Sequence, residues 1–164
     1  MAGSEFHHEV TLSIFDLEVR PFVATSLLTR FSCGNGDLDE FLKSKEVGRY
    51  ETEGLGKTYL VFHEGVLAAY FTVSLAELRA EYLQTWKSFS GFADMNVEAV
   101  PALKIGRLAV DVRFQKRGIG RVLVNYIAGL ALEPMGQAGV RLLMVQAKPE
   151  SIEFYKKCGF QLTV

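Results

Sequence analysis

The chain has 164 residues, 49% of them hydrophobic and 12% aromatic, which suits one folded domain with a sizeable core. Its longest apolar stretches, such as VLAAYFTVSL (66–75), reach about half of the roughly 20 residues that span a bilayer, so no membrane helix is expected. The formal charge of −1 argues against a uniformly basic nucleic-acid-binding surface but conceals an asymmetry, because residues 1–103 carry eight Lys or Arg against fifteen Asp or Glu and residues 104–164 carry ten against four. An anionic ligand therefore belongs to the second half.

The opening MAGSEF (1–6) reads as cloning-vector residue, and no secretory leader pattern follows, so the domain is taken as 10–164 and the compartment as cytoplasmic. Cys33 and Cys158 have neither a CxxC spacing nor nearby histidines, which predicts reduced packing residues and no metal site. LEVRPFV (17–23) predicts a first strand. NGDLDEFLKSKEVGRYETEG (35–54) predicts one helix ending near Gly54, with Asp37 and Glu40 at capping-box spacing and Leu38, Phe41 and Leu42 on one face. KTYLVFHEGVLAAYFTVSL (57–75) holds two β-rich runs around HEG, a hairpin signal. Residues 77–100 are ambiguous, with a short helix near 79–89 followed by a loop.

The second half is clearer. In LKIGRLAVDV (103–112), Leu108, Val110 and Val112 alternate with Arg107, Ala109 and Asp111, the pattern of a strand with one face on a core. From Ile119, apolar residues recur at Val122, Leu123, Tyr126, Ile127, Leu130 and Ala131, the spacing of a helix lying on a sheet. VRLLMVQA (140–147) predicts a buried strand. PESIEFYKKCGF (149–160) predicts a last helix with Pro149 in its first turn and Gly159 past its end.

Between strand and helix lies QKRGIG (115–120). A tight glycine turn there places unpaired backbone N–H groups at a helix N-terminus, which is an anion site by construction, and Gly118 and Gly120 would let the backbone approach the ligand. It is not a dinucleotide fingerprint, whose third glycine would fall at Leu123. EGLGKT (53–58) is not a Walker A loop either, because its first glycine would fall at Glu51 and the segment runs from helix to strand. The glycines of CGNGD (33–37) read as the turn before a capped helix.

The loop, the preceding GRLAVD (106–111) and the late ESIEFYKKCGF (150–160) together resemble the GNAT acyltransferase superfamily, with its Gln/Arg-x-x-Gly-x-Gly/Ala pyrophosphate loop. The resemblance implies an α/β (α+β) fold, a single domain with a mixed central β-sheet flanked by helices. It implies acetyl-CoA as the donor, its pyrophosphate held at Gln115, Lys116, Arg117, Gly118, Ile119, Gly120 and Arg121, and its pantetheine arm along Leu108, Ala109 and Val110. The N–H groups of Leu108 and Val110 would also polarise the thioester carbonyl. Tyr155 would protonate the leaving thiolate. The implied activity is transfer of an acetyl group to a primary amine by direct attack on the thioester, with a CoA-binding module lacking turnover as the alternative.

Many members of the superfamily carry an acid on the fourth strand as general base, but the only one between Pro101 and Phe114 is Asp111, beside the loop, with Glu98 nearest upstream. At pH 7 a lysine-type amine, of pKa about 10.4, is neutral to a few parts in ten thousand, whereas an α-amine near 7.7–8.0 is roughly one-tenth neutral. A site without a base suits the α-amine. FSCGNGDLDEFL (31–42), LGKTYLV (55–61), IGRLAVD (105–111) and FYKKCGF (154–160), in that order, are similar to GNAT toxins of bacterial toxin–antitoxin pairs. That likeness implies an aminoacyl-tRNA acceptor in place of a small-molecule or peptide amine, and a ribbon-helix-helix antitoxin as partner. The family's final strand is missing after Phe160. Either the sequence is shortened or another chain completes the sheet, and alternating Phe160, Leu162 and Val164 suggest an edge strand at the interface of a homodimer.

Overall fold

The computed structural model describes residues 10–83, 97–132 and 139–163. Five strands lie side by side in chain order, β1 (Glu18–Pro21), β2 (Lys57–His63), β3 (Val66–Arg79), β4 (Ala99–Val110) and β5 (Leu142–Val145). The first four are antiparallel and β5 runs parallel to β4, so the sheet is mixed. Helices α1 (Gly36–Lys43) and α2 (Glu46–Thr52) precede β2, α3 (Ile119–Leu132) connects β4 to β5, and α4 (Ile152–Lys157) follows.

The β2–β3 hairpin turns on Glu64 and Gly65, both left-handed (φ 47° and 78°), as a two-residue turn between twisted strands requires. β3 is longer than its sequence suggests. It runs to Arg79, where a helix is predicted, and only a single 3-10 turn (Ala80–Leu83) follows; residues 84–89 lie outside the described ones. The helix predicted over 35–54 is two. Asn35, rather than Asp37, caps α1, its side chain accepting from the amides of Asp37 and Leu38. Ser44 is extended and its hydroxyl accepts from the Glu46 amide, so a local side-chain bond replaces the helical one and restarts the chain as α2.

Two cores flank the sheet. Ile119, Leu123, Val124 and Ile127 of α3 are buried against Val61, Phe71 and Ile105 on one face. Each such side chain contributes roughly 1.5–3 kcal/mol, which anchors the start of α3 firmly. Phe41, Leu42 and Val47 of α1 and α2 pack with Tyr70 and Ala109 on the other. The strand predicted over 103–112 to have one buried face therefore has two, with Ala109 and Asp111 at 3% and 1% exposure and Val112 exposed beyond its end. In β4, Thr72↔Arg107 is followed by Val73↔Ile105, leaving Gly106 as a bulge. Only glycine fits there, because a Cβ would stand 2.7 Å from the Thr72 hydroxyl. The bulge changes the parity of the strand, so Leu103 and Ile105 before it and Leu108 and Val110 after it face the same core.

Pairing between β4 and β5 ends at Ile105↔Val145 while β4 continues to Val110, so the strands part into a fork at Gly106. The predicted edge strand after Phe160 does not form over residues 160–163, and Val164 lies outside the described residues. Phe160 instead turns back, its amide bonded to the Tyr155 carbonyl and its ring edge-on to Tyr155 at 5.3 Å.

Candidate active site

The chain leaves β4 and enters α3 through a loop in which Lys116 and Gly118 are left-handed (φ 62° and 81°). Alternating such residues curls successive amides towards one point, and the positive end of the α3 dipole adds to them. A non-glycine residue held in this region costs of order 1–3 kcal/mol, so Lys116 is kept there by its surroundings. Those surroundings are two arms. The Gln115 amide donates to the Cys33 and Val110 carbonyls (2.8 and 2.9 Å), and Arg117 donates to the Val10 carbonyl while its own carbonyl accepts from Leu12.

These bonds redistribute the roles expected from the sequence. The side chains of Gln115 and Arg117 are engaged in holding the loop, which leaves Lys116 and Arg121 as its exposed cations, neither in an ion pair among the described residues. Ile119 is 1% exposed and offers only backbone. Gly118 needs its freedom for φ. Gly120 does not: the position of its missing Cβ lies 3.1 Å from the Phe154 ring, so that glycine lets α4 approach α3.

Asp111 lies at the loop's start, accepting from the Ser32 amide (3.1 Å) and from the amide and guanidinium of Arg113 (2.9, 2.7 and 3.0 Å). Burial pushes its carboxyl up, but the Arg113 bonds and charge and the Ser32 amide outweigh this and hold it below its ordinary 3.8. It is no general base. Since the folded-state value is depressed, its contribution is present above the unfolded value and lost as pH falls through the folded one. Asp111→Asn should cost about 2 kcal/mol at pH 7, with the difference from wild type shrinking below about pH 4. Urea unfolding at pH 7 and pH 3 measures both.

The Asp111 amide donates to Ala68 on β3, so by the two-residue period Ala109 also turns its polar backbone to β3. Leu108 and Val110 turn theirs to the open side of the fork, where the Val110 carbonyl meets Gln115. Leu108 and Val110 are thus available to a ligand lying in the fork and Ala109 is not.

Beside Gly106 opens a cavity of about 570 Å³ between α1–α2 and β4–β5. One wall carries Asp37, Glu40 and Glu46, the other Lys104, Arg107 and Lys148. The Arg107 guanidinium lies 3.6 Å from the centre of the Phe41 ring and 5.4 Å from that of Tyr50, a stacked cation fixed in place. Sequence reading named Asp37 and Glu40 only at capping-box spacing, did not single out Glu46, and gave the Arg107 side chain no part in the site. Glu98, at the far end of β4, is about 25 Å along the strand from Gly106 and cannot serve as base.

Tyr155 is 8% exposed and edge-on to Phe154 (5.0 Å). Burial, with a smaller effect of Cys158, pushes its hydroxyl up to about 12. It lines a second cavity of about 390 Å³ between β5 and α4, and Gln146, just past β5, lines both cavities. Tyr155 and Arg107 thus lie on cavities that share Gln146.

The family model for the acetyltransferase (GNAT) domain matches residues 71–162, from β3 through the fork, loop and α4. A tRNA-acetylating toxin of Mycobacterium tuberculosis is 23% identical over 138 residues, 83% of this chain and 79% of that protein. Among solved structures, AtaT complexed with acetyl-methionyl-tRNAfMet superposes with TM-score 0.78 at 24% identity, covering 91% of this chain and 89% of that one. A tyrosine-to-phenylalanine variant of AtaT bound to the C-terminus of the antitoxin AtaR gives 0.70 at 25% identity, covering 91% and 85%. The family match thus takes in both the fork at Gly106 and the glycine loop at the head of α3, and the chain belongs to the GNAT acetyltransferase family.

Proposed function

We propose that this acetyltransferase moves the acetyl group of acetyl-CoA to the α-amine of an aminoacyl-tRNA, with residues 10–164 acting as one domain. The observation that carries the reading is the fork: an anion cradle opens on one side of it and a cavity with opposed charged walls on the other. Acetyl-CoA supplies an activated acyl group and a thiolate leaving group. The amides of residues 116–121, with Lys116 and Arg121, hold its pyrophosphate, and the N–H groups of Leu108 and Val110 face its arm and stabilise negative charge on the carbonyl oxygen. The Tyr155 hydroxyl gives its proton to the departing sulfur.

In the cavity, Lys104 and Arg107 suit the phosphates and ribose of a tRNA 3′ end and Glu40 and Glu46 suit the amino group, while Lys148 and Asp37 pair with each other at 3.4 Å. Relatives named for tRNA acetylation support this acceptor. A relative bound to the C-terminus of an antitoxin supports an antitoxin as partner, for which we propose the ribbon-helix-helix class, together with a homodimer and a cytoplasmic setting; no helix among the described residues is long and apolar enough to cross a membrane. A thiol-release screen with acetyl-CoA against polyamines, aminoglycosides, peptides and charged tRNAs tests the reading. Release with charged tRNA and none with deacylated tRNA is expected. Release with a small amine alone overturns the acceptor, and none with any amine leaves a CoA-binding module.

A further inference from the structure

The two arms that hold the cradle lead to different places. The Arg117 arm ends on Val10 and Leu12, which line neither cavity. The other arm passes from Gln115 to the Cys33 carbonyl and from the buried Asp111 carboxylate to the Ser32 amide, while the Val112 amide bonds the Ser32 carbonyl at 2.8 Å. Ser32 and Cys33 in turn donate to the Asp39 carboxylate, at 3.1 Å from the hydroxyl and 2.9 Å from the amide. Asp39 lies in the first turn of α1, between Asp37 and Leu38 on one side and Glu40 and Phe41 on the other, all of the acceptor wall. Gln115 itself immediately precedes the left-handed Lys116 that shapes the cradle.

We infer that Gln115 is a positioning residue coupling the two substrates, so that an anion drawing the amides of 116–121 together also orders α1 and the acceptor wall through Cys33 and Asp39. The inference rests on the reading of the loop as the CoA site. A neutral amide suits the task because its two N–H groups bridge the Val110 and Cys33 carbonyls without placing charge beside the ligand. Coupling of this kind is reciprocal, so an acceptor seated against α1 must tighten CoA binding by the same factor by which CoA tightens the acceptor.

The experiment follows backbone hydrogen exchange of residues 32–43 in the full chain, with and without saturating CoA, with binding checked by calorimetry. In the wild type CoA should slow exchange over 32–43 by about tenfold, within the usual range of coupling between sites. Gln115→Leu, which keeps the bulk without the donors, and Asp39→Ala, which removes both acceptors at the far end of the path, should each lose that slowing once CoA is raised to saturation, Gln115→Leu at a higher concentration because its arm holds Lys116 in the cradle. Arg117→Leu, which cuts the other arm, should keep the slowing. A merely structural role would change exchange equally with and without ligand, and so would leave the difference intact. Unchanged exchange over 32–43 in a CoA-bound wild type, or slowing retained in both Gln115→Leu and Asp39→Ala, overturns the coupling. A wild type that does not bind CoA overturns the acetyltransferase reading itself.

Discussion

Replacing Tyr155 by phenylalanine should lower kcat by about 10²-fold or more, about 2.7 kcal/mol at the transition state, while acetyl-CoA binds nearly as before. The ring stays in its aromatic setting between Phe154 and Phe160, so only the hydroxyl is lost. Because burial pushes the hydroxyl up to about 12, it remains protonated at any working pH. The wild-type kcat should therefore rise as the acceptor amine deprotonates and show no alkaline fall up to about pH 10. Steady-state rates across pH decide; a phenylalanine variant with wild-type kcat would return Tyr155 to the core.

The second large effect belongs to Gly120→Glu. A carboxylate in the first turn of α3 lies beside the cradle, and a like charge at about 5 Å with an effective dielectric near 20 costs about 3 kcal/mol, so acetyl-CoA should bind at least about 100-fold more weakly. The fold should persist. An acid in the first turn favours the helix by about 0.3–1 kcal/mol, which opposes the cost of displacing the Phe154 ring. Gly120→Ala separates the two causes, since it meets the same ring without the charge and should lose far less affinity. Calorimetric titration reads both variants, and a folded Glu variant with unchanged affinity would remove the loop from the cofactor site.

What could be read in the sequence was local. The His63–Gly65 turn, the apolar period of α3 and the glycines of the loop each act within a few residues, and each forms the element its pattern predicts. Burial of the second face was hidden, because the helices that cover it come from about 60 residues earlier in the chain, and so Ala109 and Asp111 looked exposed. The split of 35–54 turned on one serine hydroxyl competing with a helical bond. The site was least legible where it is tertiary. Gln115 reaches a carbonyl 82 residues away, and the acids of α1 and α2 meet Arg107 only once the sheet is assembled. The motif marked where the loop is, and only packing showed which of its side chains are free to serve a ligand.

The bulge also divides the labour of a single strand. From Ala102 to Ile105, β4 is ordinary sheet, paired on both edges; from Arg107 onward one edge belongs to β3 and the other is open. Gly106 is the comma between these clauses, and it sets their relative reading frame. Apolar substitutions in the first clause can drift so long as the core is filled, without re-aiming Leu108, Val110 or Arg107. Loss of the comma would move all three to the opposite face at once. A lineage could thus rework the scaffold and the acceptor wall by point changes, but the spacing between them is a single residue that tolerates neither insertion nor deletion.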